Sequence, residues 1–171
     1  MSLNMKTFDH ELTNRELLKV VFTYGLFGAA FYSAFFLLML LAGFAQVTEL
    51  RFVNYIIMCI ISFYSLKQAT KLIERRPKFL MEMAIVFLTC SISFVLFAVF
   101  LFVFSVFNSF IVDMFTQLYP GSLSFGRFSA PVFIASEGIG LSSVVALGMT
   151  FFYRSYTEGK RNKQIIDAEL V

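Results

Sequence analysis

Four apolar runs, each long enough to cross a lipid bilayer, constrain this 171-residue chain more than any other feature. Crossing about 30 Å of hydrocarbon takes roughly 20 helical residues at about 1.5 Å each. The first run extends from Val20 to Ala45 without a charged residue, and the second from Phe52 to Leu66. Its helical pattern continues through Lys67, Gln68 and Lys71, whose long side chains reach the headgroups by snorkelling. The third starts at Phe79 and stays apolar to Phe107 except for Glu82; the fourth runs from Ala130 to Tyr153 and contains Glu137. Spans are therefore expected at about 20–45, 52–72, 79–106 and 130–153.

Composition closes off the other classes. The chain is 58% hydrophobic and 15% charged, with a mean hydropathy of +0.78, whereas soluble domains carry about 25% charge. Three prolines, two cysteines and a net charge of +3 leave no basis for collagen-like, disordered or disulfide-stapled folds. Cys59 and Cys90 both fall inside apolar runs and read as small buried hydrophobes. Gly43-Phe44-Ala45 loosely resembles a signal-peptide cleavage site, but the run before it is far longer than a 7–15-residue signal core, so it reads as a retained span. Upstream, Thr13 and Glu16 fit a capping box that predicts a helix beginning at Asn14.

Basic residues orient the spans. Twelve of the 14 lysines and arginines fall in the first 19 residues, the second connection or the tail from residue 154. Only Arg51 and Arg127 lie on the other side. Both termini are expected in the cytoplasm. Tyr24, Tyr64, Tyr153 and Tyr156 fall near the inner ends of their spans and Tyr55 and Tyr119 near the outer ends, as in an aromatic belt at headgroup level.

The first two connections are short, which predicts antiparallel neighbours. The third is longer, and Phe107, Phe110, Ile111, Met114, Phe115 and Leu118 recur along it on one helical face. An amphipathic outer helix is expected over 107–119, ended by Tyr119-Pro120-Gly121. A helix continuous from Phe79 would measure about 60 Å, twice the hydrocarbon thickness, so it either bends near Ser105 to Ser109 or projects outward. The expected fold is an all-α, antiparallel four-helix membrane bundle, with residues 1–19 and 154–171 as cytoplasmic segments.

Catalytic motifs are missing from the sequence: His10 is the single histidine, and no metal-ligand spacing, phosphate-binding glycine loop or nucleophile elbow occurs. An enzyme, a bound cofactor and a nucleic-acid partner are not expected. Of 11 acidic residues only Glu137 lies well inside a span, about 10 Å from its outer end. A charge there costs a few kcal/mol unless paired, neutralised or wetted. Arg51, Asn54, Tyr55, Ser105 and Asn108 are its candidate partners at that depth. One reading makes it a proton- or cation-handling carboxyl; the other, a protonated or Arg51-paired group that sets helix register. Ser136, Gly138, Gly140, Ser142 and Ala146 give span four small-xxx-small spacing, a helix-packing face. Glu82 lies four residues after Lys78 and reads as an interfacial carboxylate paired with it. Lys67, Lys71, Arg75, Arg76 and Lys78 are candidate contacts for anionic lipid, or ordinary positive-inside charge.

Tyr24-Gly25, the stretch Asn54-Tyr55-Ile56-Ile57-Met58 and the basic inner loop make the chain resemble the uncharacterised four-span inner-membrane proteins of bacteria grouped as a domain of unknown function. That resemblance implies the bacterial cytoplasmic membrane and carries no activity. The function expected is association, as an accessory or scaffold subunit of a membrane complex or as a homo-oligomer; the alternative is a small channel or ion-coupled transporter using Glu137.

Overall fold

In membranes a segment must satisfy its own backbone hydrogen bonds, and each apolar run does so as one long helix. The computed structural model describes residues 3–44, 52–73, 77–110, 112–113 and 128–169. Among them are four long helices: α1 (Leu3–Leu41), α2 (Phe52–Leu72), α3 (Phe79–Phe107) and α4 (Ser129–Glu169). Each contains a stretch long and apolar enough to cross a membrane.

Helix ends follow local chemistry. α1 runs through Thr13 and begins at Leu3, so the capping box does not start a helix at Asn14: no proline or glycine interrupts Leu3 to Tyr24, and nothing breaks the turn. It stops at Gly43, whose φ of 75° places it where side chains with a Cβ are strained. Phe44 N–H donates to Met39 O at 2.9 Å and Gly43 N–H to Leu40 O at 3.2 Å, the reverse-turn pairing that satisfies the last carbonyls. α3 ends where Asn108 turns extended (φ −144°, ψ 122°). Its Oδ1 accepts from Phe110 N–H at 2.9 Å, and Asp113 N–H donates to Ser109 O at 3.0 Å, so a new helical turn starts past the break. The remainder of the outer-helix segment, 114–119, lies outside the described residues. α4 continues sixteen residues past Tyr153, carrying into regular helix the stretch that composition alone marks as a polar tail.

α3 is the central helix: half of its most apolar stretch is buried, against 17% for α4. Along α1 it presents Phe94 and Phe97 to Tyr32, with ring centroids 5.2 and 5.8 Å apart, and Phe97, Phe100 and Phe104 edge-on to Phe36. Against α4 it meets Arg154 through Glu82 at one end, and at the other Phe102 meets Phe128, the residue just before α4. With α2 it shares hydroxyl and thiol contacts, Ser65 to Thr89 at 2.9 Å and Ser62 to Cys90 at 3.0 Å. Burial removes apolar area at about 25 cal/mol per Å² in water, but in lipid close packing and interhelical hydrogen bonds take over that role. Several interior hydroxyls are satisfied within their own helices, as in Thr89 to Ile85 O, Ser142 to Gly138 O and Thr150 to Ala146 O at 2.7–2.8 Å, whereas Ser91 Oγ is buried without a partner. Phe22, Phe31, Leu38, Ile56 and Val144 are among the large apolar side chains left exposed, a surface suited to lipid or protein and not to water.

Candidate functional site

The first turn of α3 carries Glu82, which is 2% exposed. An unpaired carboxylate so deeply buried is costly, and here its partner comes from another helix. Arg154 of α4 donates from Nε to Glu82 Oε2 at 2.5 Å and from Nη2 to Pro77 O at 3.1 Å. Its guanidinium also lies over the Phe79 ring, 5.2 Å from the centroid. The expected pairing of Glu82 with Lys78 is therefore corrected: Lys78 is exposed and contributes its backbone carbonyl to the α3 turn. A sequence spacing of four puts Lys78 within reach, but the side of α3 that carries Glu82 faces α4.

Beside this pair lies a pocket of about 240 Å³, lined by Thr70, Glu82, Tyr153, Thr157 and Glu158, with Ile73 and Pro77 as its apolar wall. Tyr153 is 8% exposed and its hydroxyl meets Thr70 Oγ1 at 2.7 Å, joining α4 to α2. That overturns its assignment to the aromatic belt, because Thr70 offers a partner inside the bundle where headgroups would otherwise be needed. Phe63 surrounds the same junction, with its centroid 5.8 Å from Tyr153 and 5.7 Å from Tyr156. Tyr153→Phe leaves the ring packing and removes one interhelical hydrogen bond, so a loss of about 0.6 kcal/mol is expected. Reversible unfolding in mixed micelles measures it, and Thr70→Val combined with Tyr153→Phe should cost no more than either alone.

Glu137, the carboxyl marked by its depth, lies on the exposed side of α4. Among the described residues it makes no hydrogen bond or ion pair. Of its candidate partners, Arg51 lies outside the described residues. Asn54 is half-buried with an unsatisfied buried Oδ1, and Tyr55 packs edge-on to Phe52. Ser105 is buried with Oγ on Phe102 O, while Asn108 caps the turn after α3. None of the described four is joined to Glu137.

The five small residues of the expected packing face divide between two sides of α4. Gly138, Ser142 and Ala146 are buried, and a Cβ on Gly138 would collide with the Phe94 ring. Ser136 and Gly140 point outward, and a Cβ on Gly140 would meet open space. This corrects the single-face expectation: five residues spread over three turns subtend more than one side of a helix. Of the basic residues considered for lipid contact, Lys67, Lys71 and Lys78 are exposed and Lys67 lies 5.9 Å from the Tyr64 ring centroid; Arg75 and Arg76 fall outside the described residues. Both cysteines are free thiols, and among the described residues no group of three His, Cys, Asp or Glu side chains is placed to hold a metal.

Sequence reasoning missed the Glu82–Arg154 pair and the pocket beside it. The available signal was that an acid in the first turn of one span and a base at the end of another share the side of the membrane marked by the basic connection. In comparisons with protein-family models, curated proteins and solved structures, nothing matches this chain.

Proposed function

We propose that the protein is a multi-pass component of the bacterial cytoplasmic membrane that works by association, as an accessory or scaffold subunit of a larger complex or as a homo-oligomer. In this reading the four helices form an antiparallel bundle with both termini in the cytoplasm, following the twelve-to-two division of basic residues. The observation that carries the reading is the exposure of Glu137 beside the open Ser136 and Gly140 on α4. Inside a span, an exposed carboxyl is stabilised by a polar partner on a neighbouring helix, and small residues let that helix approach closely. Lipid and one or more further membrane subunits are the partners of this function.

The test is native-membrane isolation of the tagged full-length chain, wild type against Gly140→Leu and Glu137→Gln. Gly140 has free space around it, so the leucine leaves the bundle intact and obstructs only the outer face. The wild type is expected to migrate as a complex well above the mass of one chain, and at least one substitution should reduce it to the monomer. A monomer in native membranes, with nothing stoichiometric bound, overturns the reading. Proton or ion flux in liposomes that Glu137→Gln abolishes would support the transport alternative in its place.

A further inference from the structure

Toward the Arg154 end of the bundle, lysines from two helices meet at one tyrosine. Lys160 lies over the Tyr156 ring, 4.8 Å from its centroid and one turn further along α4. Side chains on a helix lean toward its N-terminus, so this ammonium is drawn back toward the apolar run. Lys67 of α2 lies 5.9 Å from the Tyr64 centroid, and its charge acts, with that of Lys160, on the Tyr156 hydroxyl. Phe63 makes neighbours of the two tyrosines, its ring 5.8 Å from Tyr64 and 5.7 Å from Tyr156. Tyr64, Lys67, Tyr156 and Lys160 all stand exposed on unbroken helix. Among the described residues neither ammonium is paired with a carboxylate. Glu158, two positions before Lys160, is turned about 200° away around α4 and lines the pocket beside Glu82.

Like charges gathered without a counterion repel, and an anion between them relieves the cost. An ammonium accepts no hydrogen bond, so neither lysine takes the Tyr156 proton, which is left for an anion's oxygen. Ile60, one turn before Tyr64, and Phe152, one turn before Tyr156, are 52% and 58% exposed and lie toward the middle of their spans. That apolar surface serves an acyl chain and offers a soluble anion nothing. The geometry points to a binding site for an anionic phospholipid, its phosphodiester held between Lys67 and Lys160 with the Tyr156 hydroxyl donating, and a chain laid along Ile60 and Phe152. A zwitterionic lipid would bring a second cation to a place that already holds two. Basic sites between helices at headgroup level suit anionic lipids for this reason. The site differs from the basic connection read in the sequence, because Lys160 comes from α4 and Lys78 takes no part. It rests on the membrane reading of the four helices and not on the association assigned to the outer face of α4.

The full-length chain is reconstituted in nanodiscs of mixed phosphatidylcholine and phosphatidylglycerol, and the lipid it retains on release is identified by native mass spectrometry. The wild type is expected to keep phosphatidylglycerol in preference to phosphatidylcholine, saturating at one lipid per chain. Lys67→Gln and Lys160→Gln should each weaken that preference about fivefold, whereas Lys78→Gln, the same change of charge on α3, should alter it less than about twofold. Lys67→Arg and Lys160→Arg keep the charge and should keep the preference. The three lysines are exposed, so these substitutions leave the packed interior alone. No preference for phosphatidylglycerol, equal losses at all three lysines, or a loss at none of them overturns the assignment. A chain that does not enter the bilayer overturns the membrane reading, and the site with it.

Discussion

Arg154→Met should destabilise the protein by about 3 kcal/mol, the scale on which removing one partner of a buried ion pair leaves the other charge stranded. Glu82 is 2% exposed, and the Arg154 side chain is 28% exposed, so solvent screens the pair only from the arginine side. Methionine preserves much of the stem that packs on Phe79. The large term is therefore the uncompensated carboxylate and not lost contact area. Replacing both charges, Glu82→Met with Arg154→Met, should recover most of the loss, because a buried pair and a well-packed apolar substitute are often close in energy. Unfolding of the two single variants and the double variant in mixed micelles gives the coupling directly. Additive losses would show that the two side chains stabilise the fold separately.

Gly138→Val is the second large effect, with an expected loss of about 3 kcal/mol from overpacking. The added atoms meet the Phe94 ring, which cannot retreat freely because it is stacked against Tyr32 at 5.2 Å, a residue itself 1% exposed. At Gly140, two residues along the same helix, an added Cβ meets nothing within 4 Å, and Gly140→Val should change stability by less than about 0.5 kcal/mol. Phe94→Leu in the Gly138→Val background should restore part of the loss by giving the valine room. Equal losses at positions 138 and 140 would contradict the division of α4 into a packed side and an open side. The comparison uses one substitution at two glycines, so helix propensity cancels.

The spans were legible because a bilayer sets a length that any sequence can be measured against. Phe52 to Leu72 coincides with α2, and the third span ends one residue from the end of α3 at Phe107. Helix limits outside the apolar runs were less legible: the capping signal at Thr13 is overridden by continuous helix, and α4 extends well beyond Tyr153. In both places a good helix-forming sequence adjoins an already formed helix, and extending it needs no new nucleus. Which side of each helix faces inward was hardly legible at all. Apolar residues surround α1 and α3 on every side, so periodicity does not separate lipid from core. Glu82 and Arg154 are 72 residues apart, and no local spacing relates them. The inward choice of Gly138, Ser142 and Ala146 over Ser136 and Gly140 depends on Phe94, a residue of another helix.

The Glu82–Arg154 contact also fixes an angle. Ring-on-ring contacts such as Phe102 with Phe128 tolerate rotation of α4 about its axis, since dispersion has little directional preference. A charge-assisted hydrogen bond does not. A shift of one residue would turn α4 by about 100° and carry Arg154 away from both Glu82 and Pro77 O. Arg154 therefore acts as a key that sets the azimuth of the whole helix, and about 26 Å along it that azimuth decides the direction in which Glu137 leaves the bundle. The buried carboxylate at one end of the span aims the exposed one near the other.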